Sequence, residues 1–172
     1  MENIAKKIFK KLKTKERAND FLVFSDFFES FDHYVGDVNF NDILKEKLGQ
    51  DIPDWFQDVL QDLPGFEVNK YDKEKVLEII KIVRDMIKES EVIKFEMSFE
   101  PSKDFVDKAL ISLEEYYSNS GDLGKNILLD FDFKDIGESG ALVYMDGKFL
   151  DLTLKNQVLN YLASKDVINR KL

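Results

Sequence analysis

Apolar positions along the first ninety residues recur at helical spacing. Ile4, Ala5, Ile8, Phe9 and Leu12 fall on one face of residues 3–13 while lysines fill the other, which predicts a short amphipathic helix. A second helix is expected over about 16–32, where Phe21, Leu22, Phe24, Phe27, Phe28 and Phe31 make a wide apolar face suited to the middle of a bundle. Gly36 breaks that run. Asn39 then caps an expected third helix through Ile43, Leu44 and Leu48 that stops at Gly49. Asp51 and Pro53 open another helix, with Trp55, Phe56, Val59, Leu60 and Leu63 as its stripe and Pro64-Gly65 as its end. From the Asp72 cap onward, Val76, Leu77, Ile79, Ile80, Val83, Met86 and Ile87 give the clearest helix of the chain.

After Ser90 the period changes. Val92, Ile93, Phe95, Met97 and Phe99 predict a strand, and Pro101-Ser102 starts a helix through Phe105, Val106, Ala109, Leu110 and Leu113 that ends near Tyr117. Ile127, Leu129, Phe131 and Phe133 alternate with Leu128, Asp130 and Asp132 to form a second strand. Residues 140–145 and 148–152 predict a third and a fourth. Asp146-Gly147 between them is a hairpin turn, because that turn requires positive φ. A final helix from about Thr153 to Ser164 carries Leu154, Val158, Leu159 and Leu162. The expected fold is therefore α+β: an all-α bundle over residues 1–89, followed by a small β-α-β-β-β-α domain over 90–172.

Composition narrows the function classes. Of the 172 residues, 44% are hydrophobic and 34% charged, so a core can form beneath a solvated surface. The formal net charge of −9 repels phosphate backbones and anionic headgroups, so nucleic acid is not an expected partner. The local exception is the lysine face of Lys6, Lys7, Lys10, Lys11, Lys13 and Lys15, read as a solvated polar face. The absence of cysteine excludes disulfides, thiolate chemistry and cysteine-based zinc sites. No apolar run approaches the ~18 residues of a membrane span and no secretory h-region stands out. A cytoplasmic protein without direct membrane insertion, peripheral to the membrane as part of a complex, is expected.

Candidate chemistry is sparse. Asp130 and Asp132 project from one face of a strand, and with Asp135 they form a candidate oxygen-ligand set for a divalent cation, the basis of an alternative reading as a metal-dependent enzyme. The plainer reading is a solvated sheet face, since no calcium-loop spacing supports a metal. His33 stands alone, at a helix end or in a loop. Gly137 and Gly140 lead into no phosphate-binding helix. No cofactor is implied, and a non-catalytic protein is expected. Trp55 and Phe56 fit a bundle interior; a Trp-bearing helix beside an amphipathic N-terminal helix also frames a groove for a partner helix.

The stretch DFKDIGESGALVYMDGKFLDLTLKNQVLNYL, Asp132 to Leu162, resembles the C-terminal segment of the delta subunit of rotary F-type ATP synthase, the oligomycin-sensitivity-conferring protein family. Gly140 with its apolar strand, Asp146-Gly147-Lys148, and Asp151-Leu152-Thr153-Leu154-Lys155 fall in the family's order. Gly137-Glu138-Ser139-Gly140 stands where the family has a glycine pair, and Leu152 stands where it has glycine. The resemblance implies a non-catalytic stator adaptor in the peripheral stalk, supporting ATP synthesis and proton transport. Its helical domain would grip an alpha-subunit N-terminal helix and its C-terminal domain would meet the b-type stalk subunit. Carried onto this chain, the groove would be lined by Ile4, Ile8, Phe9, Leu12, Trp55, Phe56 and Val59, and charged residues at Ile8 and Trp55 would abolish capture of the helix while leaving the fold intact. The E-type peripheral-stalk subunit of vacuolar or archaeal-type ATPases has a comparable ending, but its N-terminal half is one long charged helix. The breaks at Gly36, Gly49, Pro53 and Pro64-Gly65 disfavour it. An unrelated small acidic adaptor is the remaining alternative.

Overall fold

The computed structural model describes residues 1–30, 52–65, 73–121, 124–134 and 139–160. The expected third helix through Ile43, Leu44 and Leu48 lies outside the described residues, as do His33, Asp51, Asp72, Asp135 and Gly137. The fold is α+β, with helices first. The chain divides into two compact units, Met1–Ser90 and Glu91–Leu172.

The first unit contains α1 (Glu2–Leu12), α2 (Lys15–Ser30), α3 (Asp54–Gln61) and α4 (Lys73–Lys88). Lys13, at φ 57°, ends α1 and turns the chain into α2. Pro53 sits one position earlier than a first-turn proline: it is the N-cap of α3, and its carbonyl accepts the Phe56 and Gln57 amides. α1 packs against α2, α3 and α4. Phe24 of α2 stacks edge-on against Phe56 of α3 at 5.0 Å, a geometry that adds to the apolar burial.

Two polar clamps fix the register of these helices. Arg84 of α4 donates to the buried Ser25 Oγ at 2.9 Å, to Glu29 at 2.7 Å and to Asp26 of α2. Lys7 and Lys11 of α1 converge on Asp62, at 2.6 and 2.5 Å. Burial pushes the Asp62 carboxyl up, but the hydrogen bonds from Lys11 and Lys7 outweigh it and hold the carboxyl below its ordinary value. These two lysines thus tie α1 to the end of α3, Lys11 largely covered and Lys7 still on the solvated face. Lys6 pairs within its own helix, with Glu2 at 2.6 Å.

The second unit runs β1 (Glu91–Met97), α5 (Lys103–Asn119), β2 (Ile127–Phe133), β3 (Ala141–Met145), β4 (Lys148–Asp151) and a helical segment α6 at residues 154–160. The sheet order is β2-β1-β3-β4. β1 and β2 are parallel over all seven residues, Glu91 opposite Ile127 through Met97 opposite Phe133, and α5 supplies the crossover that a parallel pair needs. Ser102 starts α5 by accepting the Phe105 amide on its hydroxyl at 3.2 Å. One sheet face, built from Ile93, Phe95, Met97, Ile127, Leu129 and Val143, packs under Phe105, Val106, Ala109, Leu110 and Leu113 of α5. Among the described residues no helix is long and apolar enough to cross a membrane.

Candidate functional site: a docking surface on the hairpin and last helix

The groove expected in the first unit is filled. Ile8, Leu12 and Val59 are fully buried, and Phe9 and Phe56 nearly so. These five residues are the core of the helical unit, so they are not an open lining, and a charge at Ile8 would sit unpaired in that core. This corrects the expectation that Ile8 is replaceable. Their helical spacing is the same for a core and for a groove, so periodicity alone does not separate the two. Ile4 and Trp55 remain half-exposed. The Arg17 guanidinium lies over the Trp55 ring, 5.2 Å from its centroid, and Phe56 meets the same ring edge-on at 5.2 Å.

The family-like segment of the second unit is built around one close crossing. Gly140 has φ +134°, and a Cβ there would lie 2.5 Å from the Thr153 Cα and 2.6 Å from the Leu152 carbonyl oxygen. Only glycine lets the start of β3 pass the end of β4 at that separation. Backbone bonds close the crossing: the Leu152 amide donates to Ala141 at 2.9 Å and the Leu154 amide to Ser139 at 2.7 Å. Asp151 then organises the entry to α6. One of its carboxylate oxygens accepts both the Thr153 amide, at 2.9 Å, and the Thr153 hydroxyl, at 2.6 Å. These two bonds, side chain first, hold the Asp151 carboxyl below its ordinary range. Thr153 itself is buried, and its hydroxyl accepts the Asn156 amide at 3.4 Å. Asp151 and Thr153 are therefore structural. Lys155, on the first turn of α6, adds a favourable charge near Asp151.

Asp146-Gly147 forms the hairpin turn its sequence predicts, with φ of 51° and 68° and Met145 opposite Lys148. The hairpin and the last helix leave apolar side chains outside. Phe149, Leu150, Leu152, Leu154, Val158 and Leu159 are each between 45% and 59% exposed. Six large apolar residues exposed within eleven positions are far denser than the scattered singles of an ordinary surface. On the sheet face away from α5, Tyr144 and Phe149 pair at 5.2 Å and line a shallow cleft with Val92 and Lys94.

Asp130 and Asp132 lie on that same face. Asp132 is paired with Lys94 at 3.0 Å and with Lys134 at 2.8 Å, and the same two lysines hold Glu96 at 3.0 and 2.9 Å. Tyr144 also donates to Glu96 at 3.1 Å. Lys134 and then Lys94 lower Glu96 to about 2, and they lower Asp132 as well. Two ammonium groups between two carboxylates make a neutralised ladder, so Asp132 has no surplus charge to offer a cation. Among the described residues no three His, Asp or Glu side chains gather as a metal site. Lys94 and Glu96 escape a sequence reading because a parallel pairing across a helix brings them to Asp132 and Lys134.

No protein-family model and no curated protein matches the sequence. Among solved structures, a chain of the Toxoplasma gondii mitochondrial ATP synthase hexamer, determined by cryo-EM, aligns over 96% of this chain and 96% of its own length. The identity is 14% and the TM-score 0.33, a likeness too slight to bear on fold or function.

Proposed function

We propose that this chain is a non-catalytic stator adaptor of a rotary ATP synthase, joining the catalytic head to a b-type stalk subunit. The observation that carries the reading is the apolar surface of the β3–β4 hairpin and α6. It occupies the very segment, Gly140 to Lys155 and onward, that resembles the C-terminal part of the delta family. A surface of this kind suits a partner helix laid along it through apolar contacts, with the exposed Lys148 beside it for an acidic side chain of that helix. The alpha-subunit helix would be received by the first unit where its groove residues keep exposure, at Ile4 and Trp55, since Ile8, Phe9, Leu12, Phe56 and Val59 are committed to the core.

The test is capture from membranes of the source organism, with the full chain as bait and mass spectrometry as readout. The expected catch is alpha, beta and b-type subunits. A Leu154→Asp/Val158→Asp bait, altered only at exposed positions, should lose the b-type subunit while retaining its circular-dichroism melting profile. A folded wild-type bait that recovers none of these subunits would sink the proposal and leave the small-adaptor reading.

A further inference from the structure

The hairpin that carries part of this surface is a weak element by length. β4 has four residues, lies at the sheet edge and pairs only with β3 among the described strands. A ribbon of that size needs support from outside itself. The support comes from the far end of α5. Tyr117 is 2% exposed, and its hydroxyl donates to Asp146 Oδ2 at 3.1 Å, so a buried ring on the helix reaches the tip of the turn. The Lys125 ammonium sits 4.3 Å from the centroid of that ring, 3.5 Å from Asp146 Oδ1 and 3.6 Å from Glu91 Oε2 at the start of β1. One helix, one loop, one central strand and one turn therefore meet at a single point.

We infer that Tyr117 and Lys125 are positioning residues that brace the Asp146-Gly147 turn, so that edge strand β4 holds Phe149, on the face away from α5, in place for docking. The docking part rests on the stator reading; the brace does not. The Tyr117 hydroxyl is well suited to the role. Burial first, and the Asp146 hydrogen bond next, push its ionisation far above the ordinary tyrosine range, so it stays a donor throughout the physiological range. A hydrogen bond to a charged acceptor is also among the stronger kinds. Asp146, at φ 51°, is held in a conformation that aspartate tolerates better than most residues, and the brace removes its remaining freedom.

Hydrogen exchange on the full chain tests the brace directly. Tyr117→Phe keeps the ring beneath Lys125 and removes only the hydroxyl. Amide exchange over residues 145–150 should rise about tenfold, while the β1–β2 amides change less than about twofold. Lys125→Met, at a partly exposed position, should loosen the same six residues. Asp146→Asn preserves the turn and an acceptor for Tyr117, and should give an intermediate rise. An unchanged hairpin, or uniform acceleration across the sheet, would overturn the inference, since the second pattern is loss of core stability alone. Stalk capture is then compared for the same variants. Loosened hairpins with capture reduced in parallel support both halves. Loosened hairpins with undiminished capture overturn the presentation half. Loosened hairpins when even the wild type captures no stalk subunit overturn the stator reading and leave the brace standing.

Discussion

In the helical unit the apolar residues of α1 and α3 turn inward: Ile8, Leu12 and Val59 have no measurable exposure, and lysines on the outside are drawn onto Asp62. In the α+β unit, one sheet face is equally dry beneath α5, yet the hairpin and α6 keep six large apolar side chains at the surface. Both units have enough apolar material for a core, and among the described residues the second exposes far more of it. A surplus that its own fold leaves uncovered is the better guide to a docking surface than a helical stripe, because a stripe is equally the signature of burial. Phe149 and Leu154, unlike Ile8 and Phe56, are open to a partner.

The comparison breaks most visibly at Ile8. An Ile8→Asp substitution places a carboxylate among Ala5, Leu12 and the neighbouring helices, and the expected cost is at least about 4 kcal/mol. The chain has a single tryptophan, Trp55, in α3, so its fluorescence reports the helical unit alone. Urea unfolding followed at Trp55 should lose its native plateau in this variant. A stable Ile8→Asp protein that fails only in partner capture would restore the open groove and reverse the contrast between the units.

A smaller effect is expected at Gly140, and in the other unit. Gly140→Ala drives a Cβ against the Thr153 and Leu152 backbone and forces alanine to φ +134°. Backbone cannot step aside as a side-chain tip can, and a loss of about 3 kcal/mol is expected. Amide exchange in β3, β4 and α6 should accelerate while the Trp55 transition keeps its midpoint. A shift of the Trp55 midpoint by the same amount would mean that the two units unfold together, and the contrast would then be one of surface and not of stability.

How far the fold could be read in advance depends on the distance between the residues that decide each feature. The Asp146-Gly147 turn and the Ser102 cap are legible because their partners lie within four residues. The α+β class is legible because the apolar period changes from helical to alternating near Ser90. The filled groove is not, since Ile8 and Val59 are covered only once the helices pack together. The lysine–carboxylate ladder hides for a similar reason: Glu96 and Asp132 become neighbours through a parallel register spanning α5. Gly140 looks like a loop residue until Thr153 arrives beside it. Tyr117 carries no local mark at all, being 29 positions from the aspartate it braces.

The smallest effect concerns charge, and it tests whether the two units share a device. Each has carboxylates held by two lysines, Asp62 in the first and Glu96 with Asp132 in the second. Glu96 has its pKa lowered to about 2 from an ordinary 4.5, by Lys134 first and Lys94 next. A depressed folded value means that the native state binds fewer protons than the unfolded chain at mildly acid pH. The stabilisation is then complete above about pH 4.5 and is lost as pH falls through about 2. The Glu96 carboxyl carbon, followed by NMR, should therefore titrate near the lower end of that window. Lys134→Met should move it upward, and added salt should do the same, because the ladder is partly open to solvent. Asp62 should respond less to salt, since its side chain is only 9% exposed and one of its two lysines, Lys11, is itself largely covered. A Glu96 carboxyl that titrates at its ordinary value in the wild type would mean that the ladder does not persist in solution. Asp132 would then be freed of its counter-charges, and the sheet face away from α5 would become the more acidic of the surfaces available to a partner.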